Sequence, residues 1–448
     1  MESRSLQSDN RTSPHLEPRI YTRSEHPVSR KYVSENALKV LYRLDKAGFK
    51  AFLVGGSVRD LLLGREPKDF DVATDALPEQ VRELFRNCRL IGRRFRLAHV
   101  QFGQEIIEVA TFRAAHDGEV EGAATTDEGR ILRDNVYGDL DDDVWRRDFT
   151  VNALYYNIAD FSIVDYVGGY EDIKAGRLRL LGDPETRYRE DPVRMLRAVR
   201  FAVKLGFAFD PATSAPFTKL GHLLEEISSA RLFDEVLKLF HGGVAHQTYE
   251  VLRQYGLFAR LFPLAEATLA REEDNFPHML IAYALQNTDA RIAHDKPVTP
   301  AFLFAALLWH AVEEQIDALV DDGMDPNEAF MFAADTVISK QVARIAIPRR
   351  FTNVTREIWS LQQRLVNFSP KRAARLVEHP RFRAAYDFLL LRAQAGEAVA
   401  EAAEFWTRYL DVPEHERGSL VATLDAPGPD APRRRRRRRR PPRTPAGE

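Results

Sequence analysis

Residues 53–75 read LVGGSVRDLLLGREPKDFDVATD, which sets a glycine pair, an arginine and an Asp-Phe-Asp triplet within one short run. The stretch AFLV at its start has the length and apolar character of a buried strand. Gly55 and Gly56 then let the backbone turn tightly and approach a ligand closely, and Ser57 is placed to cap a helix over VRDLLLG. N–H groups at a helix start attract anions, and Arg59 in the first turn adds a fork suited to phosphate. The segment KDFDVAT alternates as a strand does, so Asp69 and Asp71 project from one face and Phe70 and Val72 from the other. Two carboxylates side by side repel each other. A divalent cation between them relieves that repulsion, and oxygen ligands next to a phosphate turn favour Mg²⁺.

A third carboxylate would hold a second ion, and two segments offer one. In QEIIEVATFR, alternation turns Glu108 away from Ile107 and Val109, placing an acid in an otherwise apolar strand. In RRDFTVNALYYN, Asp148 is the competitor, with Arg146, Arg147 and Asn152 beside it for ribose and phosphate oxygens. The sequence does not rank Glu108 against Asp148. Either completes a site in which one ion activates an attacking hydroxyl and the other stabilises a pyrophosphate leaving group.

At 448 residues the chain exceeds one ordinary hydrophobic core, so several domains are expected, and 44% hydrophobic content fits a soluble globular protein. The single cysteine, Cys88, excludes an internal disulfide framework, and no apolar run approaches the roughly 18 to 20 residues of a membrane span. The first residues lack the apolar region of a signal peptide, so a cytoplasmic location is expected. Formal net charge is −2, but Arg433 to Arg440 are eight consecutive arginines, and setting them aside leaves −10. Such a block cannot fold on itself. It reads as a solvated arm with phosphate as its natural partner, and a solubilising or membrane-surface tail is the alternative.

Composition and period divide the chain. Residues 1–30 are polar and carry Pro14, Pro18 and Pro27, the signature of a disordered tail. SENALKVLYRLDKAG has apolar residues at Ala37, Leu38, Leu41, Tyr42 and Leu44 and a stop at Gly48, which predicts an amphipathic helix. Strand-like and helical runs alternate over 31–168, an α/β head with a mixed sheet. An all-α neck over 169–260 and a helical body over 261–411 follow, and an arginine-rich disordered tail fills 412–448. The whole is a multidomain α+β chain.

Five segments resemble, in order, the successive motifs of the class II tRNA nucleotidyltransferase and bacterial poly(A) polymerase family: LVGGSVRDLLLG, KDFDVATD, RRDFTVNALYYN, DYVGGYEDIKAGRLR and EDPVRMLRAVRFA. Residues 84–103, LFRNCRLIGRRFRLAHVQFG, are similar to the segment that marks the poly(A) polymerases rather than the CCA-adding enzymes, and the arginine-rich end points the same way. The resemblance implies a nucleotidyltransferase head, Asp69 and Asp71 as metal ligands, ATP as the nucleotide, RNA 3′ ends as acceptors, and a neck helix that selects the base. RNA-decay proteins or RNA chaperones are candidate partners. Ser57 departs from the polymerase pattern, which has glycine there.

The neck segment RYREDPVRMLRAVRFAVKLG starts with acids, has Pro192 at a first-turn position and ends at Gly206, so it reads as one helix. Asp191 and Arg194 share a face, with Glu190 and Arg197 close by. An acid accepting beside a guanidinium donating suits adenine or cytosine and rejects guanine and uracil.

If Arg433 to Arg440 grip RNA, deleting the chain after about residue 430 weakens RNA binding at low salt. Each lost contact removes about 0.7 from the slope of log affinity against log salt. Affinity across a salt series checks this, and identical slopes for the two proteins leave the solubilising role.

Overall fold

The computed structural model describes residues 17–92, 96–114, 123–125, 131–134, 136–270, 279–367 and 373–417. The arginine arm lies outside the described residues. Cα packing divides the chain into two units: residues up to 270 with 285–300 and 310–348, and 279–284 with 301–309 and 349–417.

The first unit is built on an eight-stranded mixed sheet. Its strands are β1 (Arg19–Tyr21), β2 (Ala51–Val54), β3 (Asp71–Thr74), β4 (Cys88–Ile91), β5 (Leu97–Phe102), β6 (Glu105–Thr111), β9 (Leu154–Asn157) and β10 (Ile163–Asp165). Their spatial order is β1-β10-β9-β2-β3-β6-β5-β4. A separate pair, β7 (Ala123–Thr125) and β8 (Ile131–Asp134), stands outside it. The helices of this region are α1 (Glu35–Lys46), α2 (Gly56–Leu62), α3 (Pro78–Leu84), α4 (Leu140–Arg146) and α5 (Gly169–Lys174).

Residues 17–30 are not a loose tail. Tyr21 and Val28 are buried and β1 closes the edge of the sheet against β10, because the polar run contains just enough apolar side chains to cover that edge. Helix α1 starts at the Ser34 cap and buries Ala37, Val40, Leu41 and Leu44. Tyr42, expected on that apolar face, is instead exposed and accepts a hydrogen bond from Arg30 at 2.6 Å.

The two faces of the sheet differ. Helices α1 and α3 cover one face of β6, β5 and β4, where Ala98, Val100, Ile107 and Val109 are buried. The other face is covered only in part: Phe52, Val54, Ala73 and Tyr155 pack with Val144 of α4, while on β6 Ile106 and Glu108 are exposed.

The DYVGG motif locks the end of the head. The Asp165 carboxylate accepts from the backbone N–H groups of Val167, Gly168, Gly169 and Tyr170 at 2.9–3.1 Å. A Cβ on Gly169 would lie 2.1 Å from the Thr150 carbonyl oxygen, so only glycine fits there. Asp172, fully buried, holds Arg177, Arg179 and the Thr150 hydroxyl.

The neck segment forms two helices rather than one: α6 (Pro184–Glu190) and α7 (Val193–Leu205), broken at Asp191 and Pro192. Proline disfavours helical backbone in the residue before it, and Asp191 is extended at φ −151°. Gly206 ends α7 in the left-handed conformation, as read from the sequence.

In the second unit, helices Arg349–Val366, Phe382–Gln394 and Ala400–Asp411 enclose Leu361, Leu365, Phe382, Tyr386, Leu389 and Trp406. Two of its buried indoles are paired: Trp359 donates to the Ala305 carbonyl at 3.0 Å and Trp406 to that of Leu365 at 2.9 Å. Among the described residues, no helix is long and apolar enough to cross a membrane.

Candidate active site

The backbone leaves β2 through Gly55 at φ +69° and ψ −130°, a conformation that side chains resist, and enters α2 directly. Ser57 does not cap this helix. Its hydroxyl turns back and donates to the Val54 carbonyl at 2.9 Å, since the cap position falls on Gly55, two residues earlier. Arg147 lines the turn: a Cβ on Gly55 would lie 3.4 Å from its Nη1. The Arg147 guanidinium donates to the Tyr155 hydroxyl at 2.7 Å and to Asp143 at 3.0 Å. Burial works against its charge, but Tyr155 and Asp143 outweigh that and raise its pKa further.

Arg59, expected to face phosphate, is buried and already engaged. It donates to Asp60 at 2.9 Å and to the Asn152 side-chain oxygen at 2.6 Å, with its guanidinium over the Phe201 ring. Its guanidinium lies between the glycine turn and α7: a Cβ on Gly56 would lie 3.5 Å from its Nη2.

Asp71 opens β3, and Asp69 lies exposed just ahead of the strand. Parallel pairing of β3 with β6 places Asp71 directly beside Glu108, and antiparallel pairing of β6 with β5 places Glu108 beside His99. Directly opposed residues share a face of a sheet, so Asp71, Glu108 and His99 form one row. Burial pushes the Asp71 carboxyl up to about 6 from the ordinary 3.8; Glu108 and Asp69 add to the rise and Arg147 opposes it. The His99 imidazole lies 3.2 Å from Glu108.

Asp148 is held elsewhere. Its carboxylate accepts from Arg197 at 2.9 and 2.6 Å, from the Asn152 amide at 3.1 Å and from the Phe149 N–H at 2.8 Å. Burial pushes this carboxyl up, but Arg197 and the hydrogen bonds prevail and hold it down at about 2. Its charge is spent on the neck helix, so the row contains Glu108 and not Asp148.

The neck residues are also paired. Asp191 accepts from Arg231 at 2.6 Å, and Glu190 accepts from Arg187 and Arg194, both at 2.7 Å. Asp191 and Arg194 therefore have separate partners. Arg200 donates to the buried Glu235 at 2.8 Å. Arg231 and Glu235 lie on the helix Ser229–Phe240, whose apolar spacing reads as core. The signal for them was two opposite charges four residues apart on an amphipathic helix. His99 and Asp143 were missed as well.

A glycine turn lined by arginine, next to strand-borne carboxylates at the open part of a mixed sheet, defines a nucleotidyltransferase head. Residues 51–179 match the poly A polymerase head domain, residues 206–269 the probable RNA and SrmB-binding site of polymerase A, and residues 322–441 the polymerase A arginine-rich C-terminus. Poly(A) polymerase I of Escherichia coli O157:H7 is 50% identical over 417 residues, covering 92% of this chain and 90% of that one. The CCA-adding enzyme of Bacillus subtilis (strain 168) is 39% identical over 225 residues, covering 50% of this chain and 55% of that one. Among solved structures, the Bacillus stearothermophilus CCA-adding enzyme in complex with CTP superposes with a TM-score of 0.57 at 25% identity, covering 89% of this chain and 93% of that one. The chain belongs to the poly(A) polymerase I family.

The crowding of Asp71 has a measurable sign. Its folded-state pKa lies above the ordinary value, so the stability that protonated Asp71 contributes is complete below 3.8 and is lost as pH rises through about 6. Without divalent ions, Asp71→Asn should therefore stabilise the protein near pH 8 by about 1–3 kcal/mol and leave it unchanged near pH 4. Denaturant titrations at the two pH values check this, and equal stability near pH 8 contradicts it.

Proposed function

We propose that the protein adds AMP from ATP to the 3′-hydroxyl of RNA, repeatedly and without a template. The observation that carries this reading is the Asp71–Glu108 register beside the Gly55 turn, in a chain half identical over nine-tenths of its length to a poly(A) polymerase I. The RNA O3′ attacks the α-phosphorus of ATP. The O3′–P bond forms as the bond from that phosphorus to the pyrophosphate oxygen breaks.

The donor chemistry fits Mg²⁺: Asp71 and Glu108 stand side by side in the strand register with Asp69 just ahead of them, and burial together with the neighbouring acids raises the Asp71 pKa. Asp69, Asp71 and Glu108 are the ligands we assign, and the ion supplies activation of the hydroxyl and neutralisation of the departing pyrophosphate. Gly55 and Gly56 let the triphosphate approach the backbone, and Arg147 faces its charge. Asp148 and Arg197 hold α7 against the head, which sets the distance from the base-reading residues to the carboxylates. Glu190, Asp191 and Arg194 present two acids and one guanidinium to adenine, with Arg231 and Arg187 bracing them. Residues 31–168 act as the head, 169–260 as the neck and 261–411 as the body, and the single cysteine accords with a reducing cytoplasm.

CCA addition to tRNA is the second reading. It is favoured by the structural likeness to a CCA-adding enzyme and by a neck acid–arginine pair that serves cytosine as well as adenine. The deciding test supplies ATP or CTP with a general RNA and with a tRNA lacking its terminal CCA. Long A tails on the general RNA are expected, together with loss of at least about a thousandfold of activity in Asp71→Asn, the scale of removing metal-based stabilisation. A CCA end made only on tRNA supports the second reading, and no incorporation overturns both.

A further inference from the structure

The carboxylate row does not end at His99. Antiparallel pairing of β5 with β4 places Arg89 directly beside His99, so Asp71, Glu108, His99 and Arg89 follow one another across four strands on one face. At about 4.8 Å per strand the row spans roughly 14 Å, the reach of a few nucleotides. Arg89, Ile91, Gln101 and Ile106 are exposed on this face, whereas the opposite face of the same strands is buried under α1 and α3.

We propose that this open face of β4, β5 and β6 is the bed for the last nucleotides of the acceptor RNA. Its 3′-hydroxyl lies at Glu108 and the preceding phosphates run outward past His99 to Arg89. The proposal rests on the reading of the site as a nucleotidyl transfer centre and names where that centre takes its acceptor.

The polarity of the row argues for RNA. It is acidic at Asp69, Asp71 and Glu108, where a terminal hydroxyl must meet metal ligands, and basic at Arg89, where an RNA chain carries its first phosphates. Arg82 and Arg86, on α3 and just beyond it, are exposed in the segment that leads into β4. With Arg89 they enter none of the ion pairs among the described residues, so their charge is available to a polyanion. Ile91, 40% exposed, and Ile106, 45% exposed, flank the row and offer apolar contact to bases without reading their identity. An acceptor bed for a growing homopolymer has to tolerate whatever sequence precedes the tail. A protein partner for the same face would leave the acidic end of the row unmatched.

The test measures binding rather than turnover, so its result does not depend on whether AMP is transferred. A short fluorescent oligoadenylate is titrated into the full-length protein across a salt series, for wild type, Arg89→Ala and Arg89→Lys. Arg89→Ala should weaken RNA binding at low salt by about fivefold, the upper range for an exposed ion pair, and reduce the salt slope by about 0.7. Arg89→Lys should recover most of both, because a phosphate contact needs charge more than geometry. The Kd for ATP should hold. In parallel, an oligoadenylate ending in a photoreactive 4-thiouridine should crosslink to residues 84–108. Unchanged affinity and slope in Arg89→Ala overturn the proposal, and so does a crosslink that maps only to other segments.

Discussion

Arg197 reaches from α7 to Asp148 with two hydrogen bonds, and most of the site is positioned through that contact. Asp148 holds the Asn152 amide, the Asn152 oxygen holds Arg59, and Arg59 is closed off by Asp60. One unbroken polar chain thus runs from the neck helix to the helix behind the glycine turn. Phe201 of α7 lies under the guanidinium groups of Arg59, Arg197 and Arg200, so the same junction is packed as well as paired. Buried charges arranged this way are costly unless every one is met, which makes the junction intolerant of partial loss. A head and a neck joined like this keep the glycine turn and the start of α7 at a constant separation.

The second constraint is the opposite in kind. Asp71 and Glu108 are set side by side by parallel strand pairing, and no arginine or lysine of the sheet stands between them. Repulsion and burial raise the Asp71 pKa, so the folded chain stores unfavourable energy at one place. Asp148, only a short distance along the chain from Arg147, shows what the fold does with a carboxylate it intends to neutralise: it supplies a guanidinium. That contrast between a compensated and an uncompensated acid is what separates Asp148 from Asp71 and Glu108.

Much of this was legible before any coordinates, and the division has a physical basis. The strand Ala51–Val54, the turn at Gly55 and the helix stop at Gly206 depend on local preferences, and local pattern predicts them. The neighbourhood of Asp69, Asp71 and Glu108 was legible as a set of candidates, because an acid in an apolar strand carries an energetic cost that asks for a reason. Partners were not legible. Asp148 and Arg197 are 49 residues apart and Asp191 and Arg231 are 40, and no periodicity links such positions. Ser57 was misread as a helix cap for a related reason, since the tertiary structure turns its hydroxyl to the Val54 carbonyl, and the contact of Arg59 with Asn152 is likewise set by the fold rather than by local pattern.

The junction between α7 and the head is the contact on which the site depends most, and a double-mutant cycle addresses it most directly. Asp148→Asn, Arg197→Met and the combined variant are compared with wild type by denaturant unfolding. Each single change should cost about 3 kcal/mol, since it strands a charge or its hydrogen-bond partners in a buried setting. The combined change should cost at least about 2 kcal/mol less than the sum of the two, which is the coupling energy of the pair. Additivity to within about 0.5 kcal/mol would contradict the account, because it would mean that Asp148 and Arg197 do not depend on each other.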